Sequence, residues 1–152
     1  MQPLHVYDYE ELFRSVRPNE FSVVDGRVVI SASAFKDSQR KPSLDKQWYG
    51  RAAEETRKAP DNGVAKIVAA EARKISSVTI LDHKGRPTGG HAVDVMHRPI
   101  MNQPGEPDNA SHCQVECDPA IEKDGSFKRL KEALAGLATR HGWVLPPGQP
   151  TP

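Results

Sequence analysis

Runs of apolar residues, some continuous and some alternating with polar ones, predict short strands in the first part of the chain. The segments FSVV and RVVI flank Asp25-Gly26. Asp-Gly between β-branched runs favours a tight type I′ turn, so 21–30 is predicted to be a β-hairpin. The preceding segment 8–16, DYEELFRSV, allows two predictions. It forms either a helix that ends before Pro18 or a short strand in LFRSV.

The middle of the chain alternates between polar stretches and predicted helices. Residues 31–47 are polar and irregular, with Phe35 as the apolar anchor. Residues 48–58, WYGRAAEETRK, are predicted to form a helix. A second, amphipathic helix is predicted over 64–75, because five apolar residues recur there at helical spacing: Val64, Ile67, Val68, Ala72 and Ile75.

The second half of the chain shows three further strand patterns. SSVTILD at 76–82 and HAVDVMH at 91–97 are predicted to pair as a hairpin across a glycine-rich turn. The proline-rich segment 98–110 is predicted to be an extended loop. SHCQVEC at 111–117 follows as a third strand, and WVL at 143–145 as a short edge strand.

The clearest helical pattern lies near the end of the chain. Residues 127–140 carry an apolar stripe, Gly142 ends it, and Asp124 or Ser126 is the predicted cap. The stripe consists of Phe127, Leu130, Leu134, Leu137 and Ala138. Strands and helices in this order predict an α+β fold, with a small, mostly antiparallel sheet and two or three helices packed on one face. Residues 1–145 are predicted to form one domain, and 146–152, PPGQPTP, a disordered tail.

Composition and charge exclude several functional classes. The 152 residues include 21 Lys and Arg against 20 Asp and Glu, a net charge of +1. Nucleic acid is therefore an unlikely partner, since the chain has no basic stripe. No apolar run reaches the length of a membrane span, and no secretory leader is apparent. The two cysteines, Cys113 and Cys117, lie too far apart on one strand to form a disulfide, so we expect a cytoplasmic protein.

Histidines provide the first candidate site. Four of the six lie between His83 and His112, and an imidazole titrates near neutral pH. If the strand at 111–117 pairs with the strand at 91–97, His112 would lie near His97. These two histidines are the candidate acid–base residues. No close-spaced ligand pairs such as C-x-x-C or H-x-x-x-H occur, so we predict no metal. The glycine-rich segment 85–90 opens a strand rather than a helix, so we predict no bound cofactor.

A second candidate site depends on a resemblance. Arg14 after Leu-Phe, the segment Ser31-Ala32-Ser33 and the late Gln114-Val115-Glu116 resemble the arginine, serine and glutamate arrangement of one class of mono-ADP-ribosyltransferases. The resemblance implies that Arg14 would hold NAD phosphates, Ser33 would shape the cleft and Glu116 would activate the acceptor. The spacing of the three motifs differs from that family's.

Several short motifs resemble a group of small bacterial proteins to which no activity can be attached. They are LFR before Pro18, Gly26-Arg27, SAF at 33–35, PSLD at 42–45 and the stretch from His97 to His112. The resemblance implies a stand-alone bacterial domain. The predicted function is that of a small binding or accessory protein that contacts a protein partner through its loops and tail. The alternative is a small enzyme that uses either candidate site.

Overall fold

The computed structural model describes residues 5–47 and 52–148. The strands are β1 (Glu11–Val16), β2 (Phe21–Val24), β3 (Arg27–Ile30), β4 (Ser43–Lys46), β5 (Gly63–Val68), β6 (Thr79–Leu81), β7 (Pro87–Gly90), β8 (Ala92–His97), β9 (His112–Asp118) and β10 (Trp143–Leu145). The helices are α1 (Ala53–Thr56), α2 (Ala69–Arg73) and α3 (Asp124–His141). Short 3-10 helices lie at Pro18–Glu20 and Ala32–Phe35.

Within these residues, six strands form one antiparallel sheet in the order β10-β5-β1-β4-β9-β8. The hairpins β2–β3 and β6–β7 are separate two-stranded sheets. The predicted α+β class with an antiparallel sheet is confirmed. None of the helices in the described ranges is long and apolar enough to cross a bilayer.

Helix α3 covers one face of the sheet and supplies much of the core. All five residues of the predicted stripe are buried, and Leu130, Leu134 and Ala138 are completely so. The predicted cap is wrong: the helix begins at Asp124 and Lys123 is its N-cap residue. Ser126 instead donates its hydroxyl hydrogen to the carbonyl of Thr79.

The opposite face of the sheet is covered only in part. Phe13 and Val64 project there and pack with Ala53 of α1, a single helical turn. Towards β8 and β9 the same face carries polar side chains, among them Asp94 and Glu116, which are opposite each other across the strand pair. An antiparallel sheet can leave one face to water in this way. Of the candidate site residues, His112 and Glu116 lie on this polar face.

The structure confirms two local predictions in the first part of the chain. Phe21–Val24 and Arg27–Ile30 form the predicted hairpin, with positive φ angles of 51° at Asp25 and 77° at Gly26. A type I′ turn requires positive φ at both central residues. Phe35 is fully buried, as predicted for the anchor of its segment. For 8–16, the strand alternative holds, because Glu11–Val16 is β1.

The predicted amphipathic helix at 64–75 is wrong. Its first half is β5, which pairs with β1 on one side and β10 on the other. Both faces of this strand are covered: Val64 packs beside Phe13, while Ala65 and Ile67 belong to the core under α3. Burial on both faces gives a strand an apolar run that imitates helical spacing. Only Ala69–Arg73 is helical.

Three other predicted elements need correction. β6 pairs with β7 and β8 pairs with β9, so the segments 76–82 and 91–97 do not form a hairpin with each other. The segment 31–47 includes β4, an interior strand of the sheet. Of the predicted helix at 48–58, only Ala53–Thr56 is helical, and 48–51 lie outside the described residues.

The start of the predicted tail makes defined contacts. The carbonyl of Pro146 accepts a hydrogen bond from Arg57, and the backbone N–H of Gly148 donates to the carbonyl of Pro60 at 3.0 Å. These contacts hold 146–148 beside the loop that precedes β5. The last part of the predicted tail, 149–152, lies outside the described residues.

Candidate functional site

A cleft opens on the polar face of the sheet where β1 and β4 separate. The two strands pair only at Leu12–Lys46 and Phe13–Asp45. Beyond this point a cavity of about 430 Å³ lies between the two strands, the 3-10 helices and the loops that follow α1 and β8. The side chains that matter for its chemistry are Arg14, Ser15, Arg17, Asp45, Lys58 and His112. A volume of this size matches the clefts that hold small molecules.

Arg14 fills the gap between the diverging strands. Its guanidinium donates to the carbonyls of Ala34 at 2.8 Å, Ser43 at 2.7 Å and Lys36 at 3.0 Å. It also lies over the ring of Phe35, at 5.7 Å from the centroid. Burial lowers the pKa of Arg14 from its ordinary value, and the nearby carboxylates of Glu20, Asp37 and Asp45 oppose this shift. Arg14 therefore fastens the 3-10 helix Ala32–Phe35 to the sheet and brings a positive charge to the base of the cleft.

Asp45 and His112 form a cross-strand pair in the wall of the cleft. Lys46 donates its backbone N–H to Ser111 at 2.9 Å, so the adjacent pair Asp45–His112 is a non-hydrogen-bonded one, the kind with the closer side chains. The Asp45 carboxylate accepts hydrogen bonds from Thr56 Oγ1 and Asn109 Nδ2, both at 2.8 Å. These two bonds fix the orientation of the carboxylate beside the imidazole.

The hydrogen bond at Nδ1 determines the tautomer of His112. This nitrogen lies 2.7 Å from the carbonyl oxygen of Arg98, which can only accept, so Nδ1 carries the hydrogen. In the neutral ring Nε2 then has a free lone pair. Nε2 has no hydrogen-bond partner among residues 5–47 and 52–148. His112 can therefore accept a proton or a hydrogen bond from a molecule in the cleft.

The structure does not bring the predicted pair His97 and His112 together at one site. β8 and β9 are neighbours, but the register pairs His97 with Cys113. Successive side chains of a strand point to opposite faces, so His97 lies on the core face and His112 on the polar face. His97 is buried, and its Nε2 donates to the carbonyl of Ala110 at 2.7 Å.

The residues of the second candidate site are divided between the two faces. Ser33 lies in the 3-10 helix that Arg14 fastens to the sheet, so these two are close. Glu116 lies on β9, beyond β4, and its side chain is on the polar face. Its carboxylate accepts two hydrogen bonds from Arg98, at 2.8 and 3.1 Å. The structure therefore places Glu116 in an ion pair, apart from Arg14 and Ser33.

The other histidine of the β8 region has a structural partner. His91 is buried, with Nδ1 at 2.6 Å from the carbonyl of Pro119. Within the part of the chain that the structure describes, no three His, Cys, Asp or Glu side chains are arranged to hold a metal ion.

The cysteines lie in surroundings that suppress thiolate formation. Burial raises the pKa of Cys113 to about 12 and that of Cys117 to about 11. A nucleophilic cysteine needs a depressed pKa instead. Cys113 also belongs to the hydrophobic core, and its thiol donates to the carbonyl of Ser111. Both thiols therefore act as packing groups.

The cleft includes residues that the sequence analysis did not assign to a site, above all Asp45, Asn109 and Lys58. The short motifs LFR and PSLD and the end of the proline-rich stretch supply lining residues of this cleft, and SAF is joined to it by the hydrogen bond from Arg14 to Ala34. What the sequence did not contain was the register that sets Asp45 opposite His112.

Comparison with known proteins gives no family for the chain. No family model matches it, and neither does any curated protein or solved structure. Its function must therefore be inferred from the chemistry of the cleft.

Proposed function

We propose that this protein is a small enzyme that binds a polar small molecule in the cleft and uses His112 as its general base. The observation that supports this most strongly is the state of the His112 ring. One nitrogen is fixed by the carbonyl of Arg98, and the other has no partner, in a side chain that lines a cavity of about 430 Å³. An imidazole held in one tautomer beside a cavity is a typical arrangement for proton transfer.

Asp45 supports this role electrostatically. When His112 takes a proton from a substrate hydroxyl or amine, the ring becomes positively charged. A carboxylate on the directly opposite residue stabilises that charge, since Cβ atoms of such pairs are about 5 Å apart. Thr56 and Asn109 keep the carboxylate in place. The acid–base pair proposed here is thus His112 with Asp45, in place of His112 with His97.

The transferase-like alternative has weaker support. Arg14 and Ser33 are neighbours, but Glu116 lies on another strand and is engaged by Arg98. The carboxylate nearer to Arg14 along the sheet is that of Asp45, whose strand β4 is the neighbour of β1. We therefore assign no role in the cleft to Glu116.

A metabolite mixture tests the proposal. The wild-type protein is incubated with a defined library of polar metabolites, and consumption of each compound is followed by mass spectrometry. We expect at least one compound to be consumed, with a rate at least about a hundredfold lower in His112→Gln. His83→Gln is the matched control, because His83 is exposed on the β6–β7 turn, and it should retain the wild-type rate. Equal rates in both variants, or no consumption by the wild type, would contradict the proposal.

A second candidate function, binding to a protein partner, is favoured by the β2–β3 hairpin. Val23, Val24 and Val29 are 65%, 53% and 37% exposed there. Among the described residues β2 pairs only with β3, so its outer edge is open to an extended segment of another chain. The test is affinity capture with the wild type and with a Val23→Ser, Val24→Ser double variant. A partner that binds both equally would exclude the hairpin as its contact.

We propose a cytoplasmic location, as the sequence analysis expects. Cys113 and Cys117 are both unpaired thiols on one strand. Free thiols fit a reducing compartment, which supports a cytoplasmic location.

A further inference from the structure

The acidic side chains of the cleft have most of their hydrogen-bond donors already in place. Asp37 accepts from the backbone N–H groups of Gln39 and Lys41. Asp45 accepts from Thr56 and Asn109. A further acid, Glu20, accepts from the backbone of Arg17 and lies 3.5 Å from the ammonium of Lys36. Glu106, an exposed residue of the loop between β8 and β9, is the exception. Most carboxylates of the cleft therefore need no ligand to satisfy them.

The side-chain donors at the β1 end of the cleft, in contrast, have hydrogen-bonding capacity that no acceptor among the described residues uses. Arg17 and Lys58 line the cavity, and neither side chain meets a carboxylate or carbonyl within residues 5–47 and 52–148. Ser15 Oγ accepts hydrogen bonds from the backbone N–H of Lys58 at 3.1 Å and from Asn62 Nδ2 at 3.0 Å. Both Ser15 lone pairs are then used, and its hydroxyl hydrogen is left to donate.

Arg14 adds two more donors at the base of the same cavity. A guanidinium has five N–H groups, and three of them are used on the carbonyls of Ala34, Lys36 and Ser43. No carboxylate forms an ion pair with Arg14 in the described part of the chain. Three positive charges and a hydroxyl donor, none in an ion pair with a carboxylate of the described residues, therefore border one end of the cleft.

We propose that this end of the cleft, formed by Ser15, Arg17 and Lys58 above Arg14, binds a phosphate group of the substrate. This inference rests on the proposed function, since it names the class of molecule on which His112 acts: a small phosphorylated metabolite. Phosphate is the ligand that fits, because it offers several strong acceptor oxygens and a double negative charge to donors that approach from different elements. Ser15 lies in β1 and Arg17 directly follows that strand, whereas Lys58 follows α1.

The donor arrangement also indicates how the substrate would be oriented. Ser15 and Phe13 share one face of β1, and Phe13 pairs with Asp45, which pairs in turn with His112. The phosphate end and the general base therefore lie along one wall of the same cavity. A phosphate held at Arg17 and Lys58 would direct the rest of the molecule towards Nε2 of His112.

Inorganic phosphate is the probe for this site. Its binding is followed by NMR titration of the folded protein at constant ionic strength set with sodium chloride, and acetate is titrated in parallel. We expect phosphate to bind more tightly than acetate, with resonances of 14–17 and 56–62 perturbed. Arg17→Gln and Lys58→Gln should each weaken phosphate binding by about tenfold, as loss of a charge-assisted hydrogen bond does.

The controls separate this inference from general charge effects and from the proposed function. Lys84→Gln removes an exposed positive charge on the β6–β7 turn and should leave phosphate binding unchanged. An equal effect of all three variants, no effect of any, or acetate binding as tight as phosphate would overturn the inference. If His112-dependent consumption of unphosphorylated compounds is found without phosphate binding, the phosphate site fails and the proposed function stands. If phosphate binds as expected but His112→Gln leaves turnover unchanged, the proposed function fails and the phosphate site stands.

Discussion

His112 lies directly opposite Asp45 on neighbouring antiparallel strands, and the pair lines the cleft between β1 and β4. The backbone carbonyl of Arg98 fixes the imidazole, while Thr56 and Asn109 fix the carboxylate. Both side chains are thus held by groups that do not titrate near neutral pH. Such support from the surroundings is what keeps an acid–base pair in a productive geometry.

The stability of the core depends on α3. Leu134 is fully buried in the middle of its apolar stripe. Leu134→Ala should lower the free energy of unfolding by about 2–4 kcal/mol, because it removes buried methyl groups and leaves a cavity. Denaturant unfolding measures this, with Lys128→Ala on the exposed face of the same helix as the control. The control should change stability by no more than about 0.5 kcal/mol. Equal stability of the two variants would contradict the position of the helix.

Arg14 should be required for folding as well as for binding. Arg14→Lys keeps the charge but cannot reach three carbonyls on two elements at once, so one or more buried acceptors lose their donor. We expect a loss of about 2 kcal/mol or more in the free energy of unfolding. Arg27→Lys, in the exposed part of the β2–β3 hairpin, is the matched substitution and should be neutral. A neutral Arg14→Lys would show that the guanidinium does not fasten the 3-10 helix.

Two glycines should respond to alanine with opposite signs. A Cβ atom at Gly63 would collide with the ring of Trp143, which packs on it, so Gly63→Ala should destabilise the protein by about 1–3 kcal/mol. A Cβ atom at Gly136 in α3 would meet nothing, and Gly136→Ala should stabilise by about 0.5–1 kcal/mol through its helix propensity. Melting temperatures of both variants decide this. A stabilising Gly63→Ala would mean that β10 does not pack on β5 as described.

The thiols should be slow to react in the folded protein. Burial raises the pKa of Cys117 from its ordinary 9.0 to about 11, and that of Cys113 to about 12. At pH 8 the thiolate fraction of Cys117 should therefore be about a hundredfold lower than in the unfolded chain, and that of Cys113 lower still. Alkylation by iodoacetamide should be slow at pH 8, faster as pH rises towards 11, and fast in denaturant. Rapid alkylation of the folded protein at pH 8 would contradict this assignment.

The elements that sequence predicted well are those with a local or strongly periodic signal. Asp25-Gly26 determines its own turn, and α3 repeats its apolar stripe over several turns. β4 was missed because Lys46 makes it look polar, although this side chain is fully buried and lies 3.1 Å from Glu10. An ion pair between distant segments has no signature in either segment alone.

The candidate site, too, could be predicted only in part from the sequence. His112 was a candidate because histidine chemistry is visible in a sequence. Its partner Asp45 was not, because the pairing of β4 with β9 depends on the whole sheet. The predicted partner, His97, is a neighbour of His112 in the sheet, but one step of register places it on the other face.

The most direct test of the account is the tautomer of His112. Long-range ¹H–¹⁵N NMR correlation spectra of the uniformly labelled protein at neutral to mildly alkaline pH report which ring nitrogen carries the hydrogen, and His112→Gln assigns the signal. We predict hydrogen on Nδ1 and an unprotonated Nε2 in the free protein. A ring with hydrogen on Nε2 would contradict the role of His112 as the base of this cleft.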